Sequence, residues 1–176
     1  MNFTTVINLN LLPLGWVHFI ASLAALAVGV LVLLRTKGTS AHKQNGRIYA
    51  LALLVTGFTA LGIYRLGGFF FAHWFAVAAV IATLVGIAAV HFRVPRVGWM
   101  HLHLTCMLVS FYILVGGAVN EVFLRANFLH RLVPNLSSPA VAATHFAVML
   151  FFAGLIAYFN VAILIRSRTP LRTVAE

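Results

Sequence analysis

The sequence predicts an all-α fold: a polytopic membrane helical bundle of five transmembrane helices, N-terminus outside and C-terminus inside. Three observations predict it. Hydrophobic residues make up 62% of the chain and charged residues 8%, with a mean hydropathy of +1.04, whereas soluble domains carry about 25% charged residues. Five apolar runs, 11–34, 48–64, 69–92, 99–120 and 140–165, approach or exceed the roughly 20 residues that span a bilayer. The cations, finally, sort by side. Arg35, Lys37, Lys43, Arg47, Arg93, Arg96, Arg166, Arg168 and Arg172 fall on one side, and only Arg65, Arg125 and Arg131 on the other. The cation-rich side reads as cytoplasmic.

The first run, 11–34, follows a segment with no positively charged start, so it reads as a retained span rather than a cleaved signal peptide. Its face of Ser22, Ala25 and Gly29 suits close helix packing and would also admit a flat cofactor. The second run, 48–64, is the shortest, and Arg65-Leu66-Gly67-Gly68 leaves only a tight turn after it. The third, 69–92, carries His73 and His91 eighteen residues apart. At about 100° per residue they share one face, roughly 27 Å apart along the axis, close to a bilayer's hydrocarbon thickness. The fourth opens with His101 and His103 and ends near Glu121. His101 and His103 lie about 200° apart, so only one faces the bundle well; the stripe His103, Met107, Ser110, Leu114, Gly117 and Glu121 favours His103. Trp16 and Trp74 fall at the outer interface and Trp99 at the inner one, as an aromatic belt requires. No soluble domain or internal repeat interrupts this single membrane domain, 1–176.

Composition also excludes chemistry. The chain has two acidic residues, Glu121 and Glu176, and no Asp. Paired-carboxylate catalysis, carboxylate-rich calcium or magnesium sites and Ser-His-Asp hydrolysis therefore lack their raw material. The net charge of +10 sits at span ends, where lipid headgroups and topology account for it without nucleic acid. Cys106 lies alone inside a span and, like Met107, reads as core filler.

Eight histidines remain. Topology sorts them into an outer layer of His18, His73 and His145, with Glu121 and the loop residue His130 as further candidates. An inner layer holds His42 in the first cytoplasmic loop, His91, His101 and His103. For any one of them, interfacial or hydrogen-bonding duty is the simpler account. As a set they ask for more, because ionisable groups inside spans are costly and usually functional.

Three readings compete. In the first, neutral imidazoles ligate haem b or a related redox centre for transmembrane or quinone-linked electron transfer, His73 with His18 or His145 outside and His103 with His42 or His91 inside. In the second, His18, His73, His145 and Glu121 bind zinc or copper, and an activated water makes a membrane hydrolase. In the third, the histidines make interhelical hydrogen bonds in a cofactor-free accessory subunit of a membrane complex. The partners expected are the lipid bilayer, a quinone, and a membrane protein or a second copy of the chain.

The segment from His18 to Tyr49, HFIASLAALAVGVLVLLRTKGTSAHKQNGRIY, resembles the first helix and loop of a prokaryotic membrane family catalogued as domain of unknown function 2306. The resemblance rests on a histidine opening a helix of Ala, Leu and Gly, then on His42-Lys43-Gln44-Asn45-Gly46-Arg47-Ile48-Tyr49. The stretch WMHLHLTCMLVSFYI, with His103, Met107 and Ser110, looks like that family's second block. It implies a multi-span protein of a prokaryotic inner membrane and raises His18, His42 and His103 above the other histidines. A looser likeness, to transmembrane di-haem b cytochromes, lies in few helices, histidines near both faces and small-residue stripes.

Overall fold

The structure is a computed structural model describing residues 12–64, 68–126, 129, 135 and 137–168, with 167 and 168 as backbone alone. Five helices follow in order: α1 (Pro13–Leu34), α2 (Ser40–Leu61), α3 (Phe71–Phe92), α4 (Trp99–Arg125) and α5 (Pro139–Arg168). Four of them, α1, α3, α4 and α5, are long and apolar enough to cross a membrane. Among the described residues there is no β-strand. His130 and the loop cations Arg65 and Arg131 lie outside the described residues, as does Arg172 near the C-terminus.

The helix boundaries differ from the apolar runs where polar residues continue a helix. α2 starts eight residues before the expected 48. The Thr39 side chain caps it by accepting the His42 amide at 3.2 Å, so one otherwise unpaired N–H of the first turn is satisfied. His42, Gly46 and Arg47 are thus helical and not part of a loop. Hydropathy stops where side chains become polar, whereas a capped helix needs no apolar residue to persist. α4 likewise runs past 120 to Arg125, which brings Arg125 into an i,i+4 ion pair with Glu121.

Successive helices are antiparallel. His18 near the start of α1 bonds α2 near its end, at Thr56 and Thr59. His103 at the start of α4 bonds Gly86 late in α3, and His145 early in α5 bonds Asn120 late in α4. The alternation gathers Arg35, Lys37, Lys43, Arg47, Arg93, Arg96 and Arg166 at one end of the bundle, here the basic end. α1 packs most intimately on α2 and α3 on α4, with α5 against α4. α5 is the least covered helix.

The interior mixes apolar residues with a few polar ones, while the exterior is strongly apolar. Thr83 and Ser110 are fully buried, and Thr56 and His73 nearly so, whereas Ile20, Leu51, Phe58, Ile81 and Phe151 are all more than half exposed. This inverts the soluble pattern and fits a lipid surround. The core cluster joins Ala25, Tyr49, Leu53, Phe111, Leu114 and Phe152. At Gly29 of α1 an added Cβ would sit 2.6 Å from the Phe111 ring of α4. The small face of α1 is therefore filled by an aromatic side chain of a neighbouring helix, which is the helix-packing role and not a cofactor slot.

Candidate functional site

Histidines bolt the helices together. His18 Nδ1 lies 3.0 Å from the Thr56 carbonyl and 3.2 Å from Thr59 Oγ1. His103 Nδ1 lies 2.9 Å from the Gly86 carbonyl. A carbonyl only accepts, so in both rings Nδ1 carries the hydrogen and Nε2 is left with its lone pair when the ring is neutral. His145 Nε2 pairs with Asn120 Oδ1 at 2.8 Å, and His101 Nδ1 with Asn160 Oδ1 at 2.6 Å. Asn160 Nδ2 donates onward to the Ile156 carbonyl at 2.8 Å and to Thr105 Oγ1 at 3.3 Å. His101 and His103 thus point to different neighbours, α5 and α3, as their angular separation requires.

At the basic end His42 and His103 come together. α2 and α4 run parallel, being alternate members of the bundle, and they meet at a buried hydrogen bond of 2.9 Å between Tyr49 Oη and Ser110 Oγ. His42 lies seven residues before Tyr49 and His103 seven before Ser110. Two parallel helices pinned at Tyr49–Ser110 therefore carry His42 and His103 at one level, about 10.5 Å along the axis. A charge on His103 disfavours one on His42.

His42 interacts with the Val32 carbonyl, and its Nδ1 is buried with no hydrogen-bond partner among the described residues. Burial, then the Lys37 charge, hold its pKa below the ordinary 6.5, outweighing the Val32 carbonyl, while His103 lowers it further. The imidazole is therefore neutral near pH 7. Lys37 folds back to donate to the Val32 and Leu33 carbonyls at 3.0 and 2.7 Å, closing the C-terminus of α1. His91, the expected second member of the inner layer, is exposed at the end of α3 and touches only the Phe92 ring edge-on.

The opposite end is arranged otherwise. His18, His73 and His145 face α2, the α3 N-terminus and α4 respectively. Glu121 is engaged by Arg125, and both act electrostatically on His18. Among the described residues no three His, Cys, Asp or Glu side chains gather as a metal site requires. His73 is 2% exposed, with Nδ1 accepting the Phe70 amide at 3.2 Å. A main-chain N–H only donates, so the neutral ring carries its hydrogen on Nε2, the atom a metal would need bare.

Sequence reading missed Asn120 and Asn160. Each is a lone amide in an apolar run, a costly placement in a membrane helix, and that is the signal that marks them as partners of half-buried imidazoles. No family model, curated protein or solved structure matches the chain.

Proposed function

We propose that the chain is a multi-pass protein of a prokaryotic inner membrane in which His42 and His103 hold haem b or a related redox centre for quinone-linked electron transfer. In this reading α2 crosses as a fifth span beside α1 and α3, with the N-terminus outside and the basic end cytoplasmic. The observation that carries it is a pair of imidazoles at one level on parallel helices, with His42 held neutral. His103 directs Nδ1 at the Gly86 carbonyl, and His42 Nδ1 is buried with no hydrogen-bond partner among the described residues. Orienting a ligand imidazole through its second nitrogen is how proteins prepare histidine for iron.

The chain's own part is to hold the two rings at one level and to keep His42 neutral. Tyr49–Ser110 fixes the level, burial and the Lys37 charge keep His42 unprotonated, and the exposed Lys43 and Arg47 supply charge for propionates. Haem bound there supplies one-electron chemistry. The likeness of the His42–Tyr49 segment to the family named above supports the same residues.

A second reading, a cofactor-free accessory subunit, is favoured by His18, His101, His103 and His145, each of which makes an interhelical hydrogen bond. The three-histidine zinc or copper reading needs side chains that stand apart here.

The test is a visible spectrum with elemental analysis on protein purified after haem supplementation. A Soret band with stoichiometric iron is expected. No Soret band and no metal leaves the accessory reading, and stoichiometric zinc or copper would revive the hydrolase.

A further inference from the structure

His73 stands outside the pair just described and has an unmet need. Its ring is 2% exposed, and its tautomer is set by the Phe70 amide, so Nε2–H is a donor. That donor has no hydrogen-bond partner among the described residues. A buried donor left unpaired is destabilising, a cost that an outside acceptor would recover.

The surroundings narrow what the acceptor is. Tyr64 and Phe69 lie nearly parallel to the imidazole at centroid distances of 5.0 and 4.7 Å, and Phe70 meets it edge-on at 4.7 Å. Water needs two to four polar partners to be held, and this wall is aromatic. The acceptor must bring its own apolar body. Access is available at little cost to the core, because Tyr64 and Phe69 are 56% and 52% exposed. A flat ring can enter beside either one and present a carbonyl oxygen to Nε2 in the imidazole plane.

We infer that the His73 site binds a membrane quinone, one carbonyl oxygen accepting from Nε2–H in the imidazole plane while its ring packs beside Tyr64 and Phe69. The choice of a quinone rests on the redox reading above; the donor itself does not. A lipid ester carbonyl offers the same acceptor chemistry without the flat ring, so the experiment separates the two.

The protein is placed in quinone-free lipid nanodiscs and titrated with a short-chain benzoquinone, reading quenching of tryptophan fluorescence. Trp74 adjoins His73 in sequence and packs edge-on against Phe69 at 5.4 Å, so it reports on the pocket. Saturable quenching is expected, with Kd raised tenfold or more in His73→Phe and within threefold of wild type in His73→Gln, which keeps a donor near Nε2. Tyr64→Ala, at an exposed position that leaves folding intact, is expected to change Kd at least threefold, while the lipid-facing control Phe58→Ala leaves it alone. Equal Kd in wild type, His73→Phe and Tyr64→Ala overturns the proposal. So does His73-dependent quenching by brominated phospholipid without any by quinone, which assigns the donor to lipid. His103→Ala is expected to bind quinone as wild type does, so a missing Soret band and a missing quinone site are separately visible.

Discussion

At the basic end His42 and His103 share one level and His103 acts electrostatically on His42, whereas at the opposite end His18, His73 and His145 each face a different partner. The residue type is the same, and the difference lies in register. His103 gives Nδ1 to a main-chain carbonyl and shares with His42 a level set by Tyr49–Ser110. His18 also gives Nδ1 to a main-chain carbonyl, and His145, like His101, pairs with an asparagine amide. On the proposed reading a histidine in a membrane helix is a bolt or a ligand according to its neighbours. Depth alone does not decide.

The largest effect expected from breaking this contrast is on cofactor content. His103→Ala and His42→Ala should each abolish haem binding, measured as haem per protein after purification, while His91→Ala and His145→Ala retain it. Equal loss in all four would erase the difference between the ends.

Next comes the packing both ends share. Gly29→Val drives a side chain into the Phe111 ring and should lower stability by about 2 kcal/mol, the usual cost of overpacking, in a denaturant titration in detergent. Tyr49→Phe removes the hydroxyl that fixes the α2–α4 register. It should cost about 1 kcal/mol, within the range for interhelical hydrogen bonds in membranes, and it should weaken haem retention at the basic end while leaving quinone quenching near Trp74 unchanged. A double-mutant cycle on His145→Leu and Asn120→Leu should return a smaller coupling of about 0.6 kcal/mol, with no change in haem content.

The smallest effect is the pH dependence. Because the His42 pKa is held below 6.5 in the folded chain, the unfolded chain takes up the proton first on acidification. Stability from this group is complete above about 6.5 and falls as pH drops below it, towards the folded pKa. Melting temperature should follow that direction in wild type, and His42→Gln should flatten the slope.

Much of this architecture was legible in the sequence because hydropathy is read one helix at a time. The helical class, the apolar runs of α1, α3, α4 and α5, and the opposed faces of His101 and His103 all follow from composition and 3.6-residue periodicity. What one helix cannot reveal is its neighbour. The His42–His103 pairing is written in a shared offset, since 42 to 49 and 103 to 110 are both seven residues, but it becomes visible only once α2 and α4 are known to be parallel and in contact. The extension of α2 to Ser40 escaped hydropathy because its first turns are polar, and a threonine cap starts them. The shared face of His73 and His91 on α3 does not reveal their settings for a related reason. One is enclosed by aromatic rings, and the other ends its helix in the open.

The most direct measurement is electron paramagnetic resonance of the oxidised, haem-supplied protein beside its His42→Ala and His103→Ala variants. The account predicts a low-spin ferric signal of two imidazole ligands in wild type, lost in both variants and kept in His18→Ala. A wild-type signal that persists without His42 or His103, or that disappears only when His18 is removed, would contradict it.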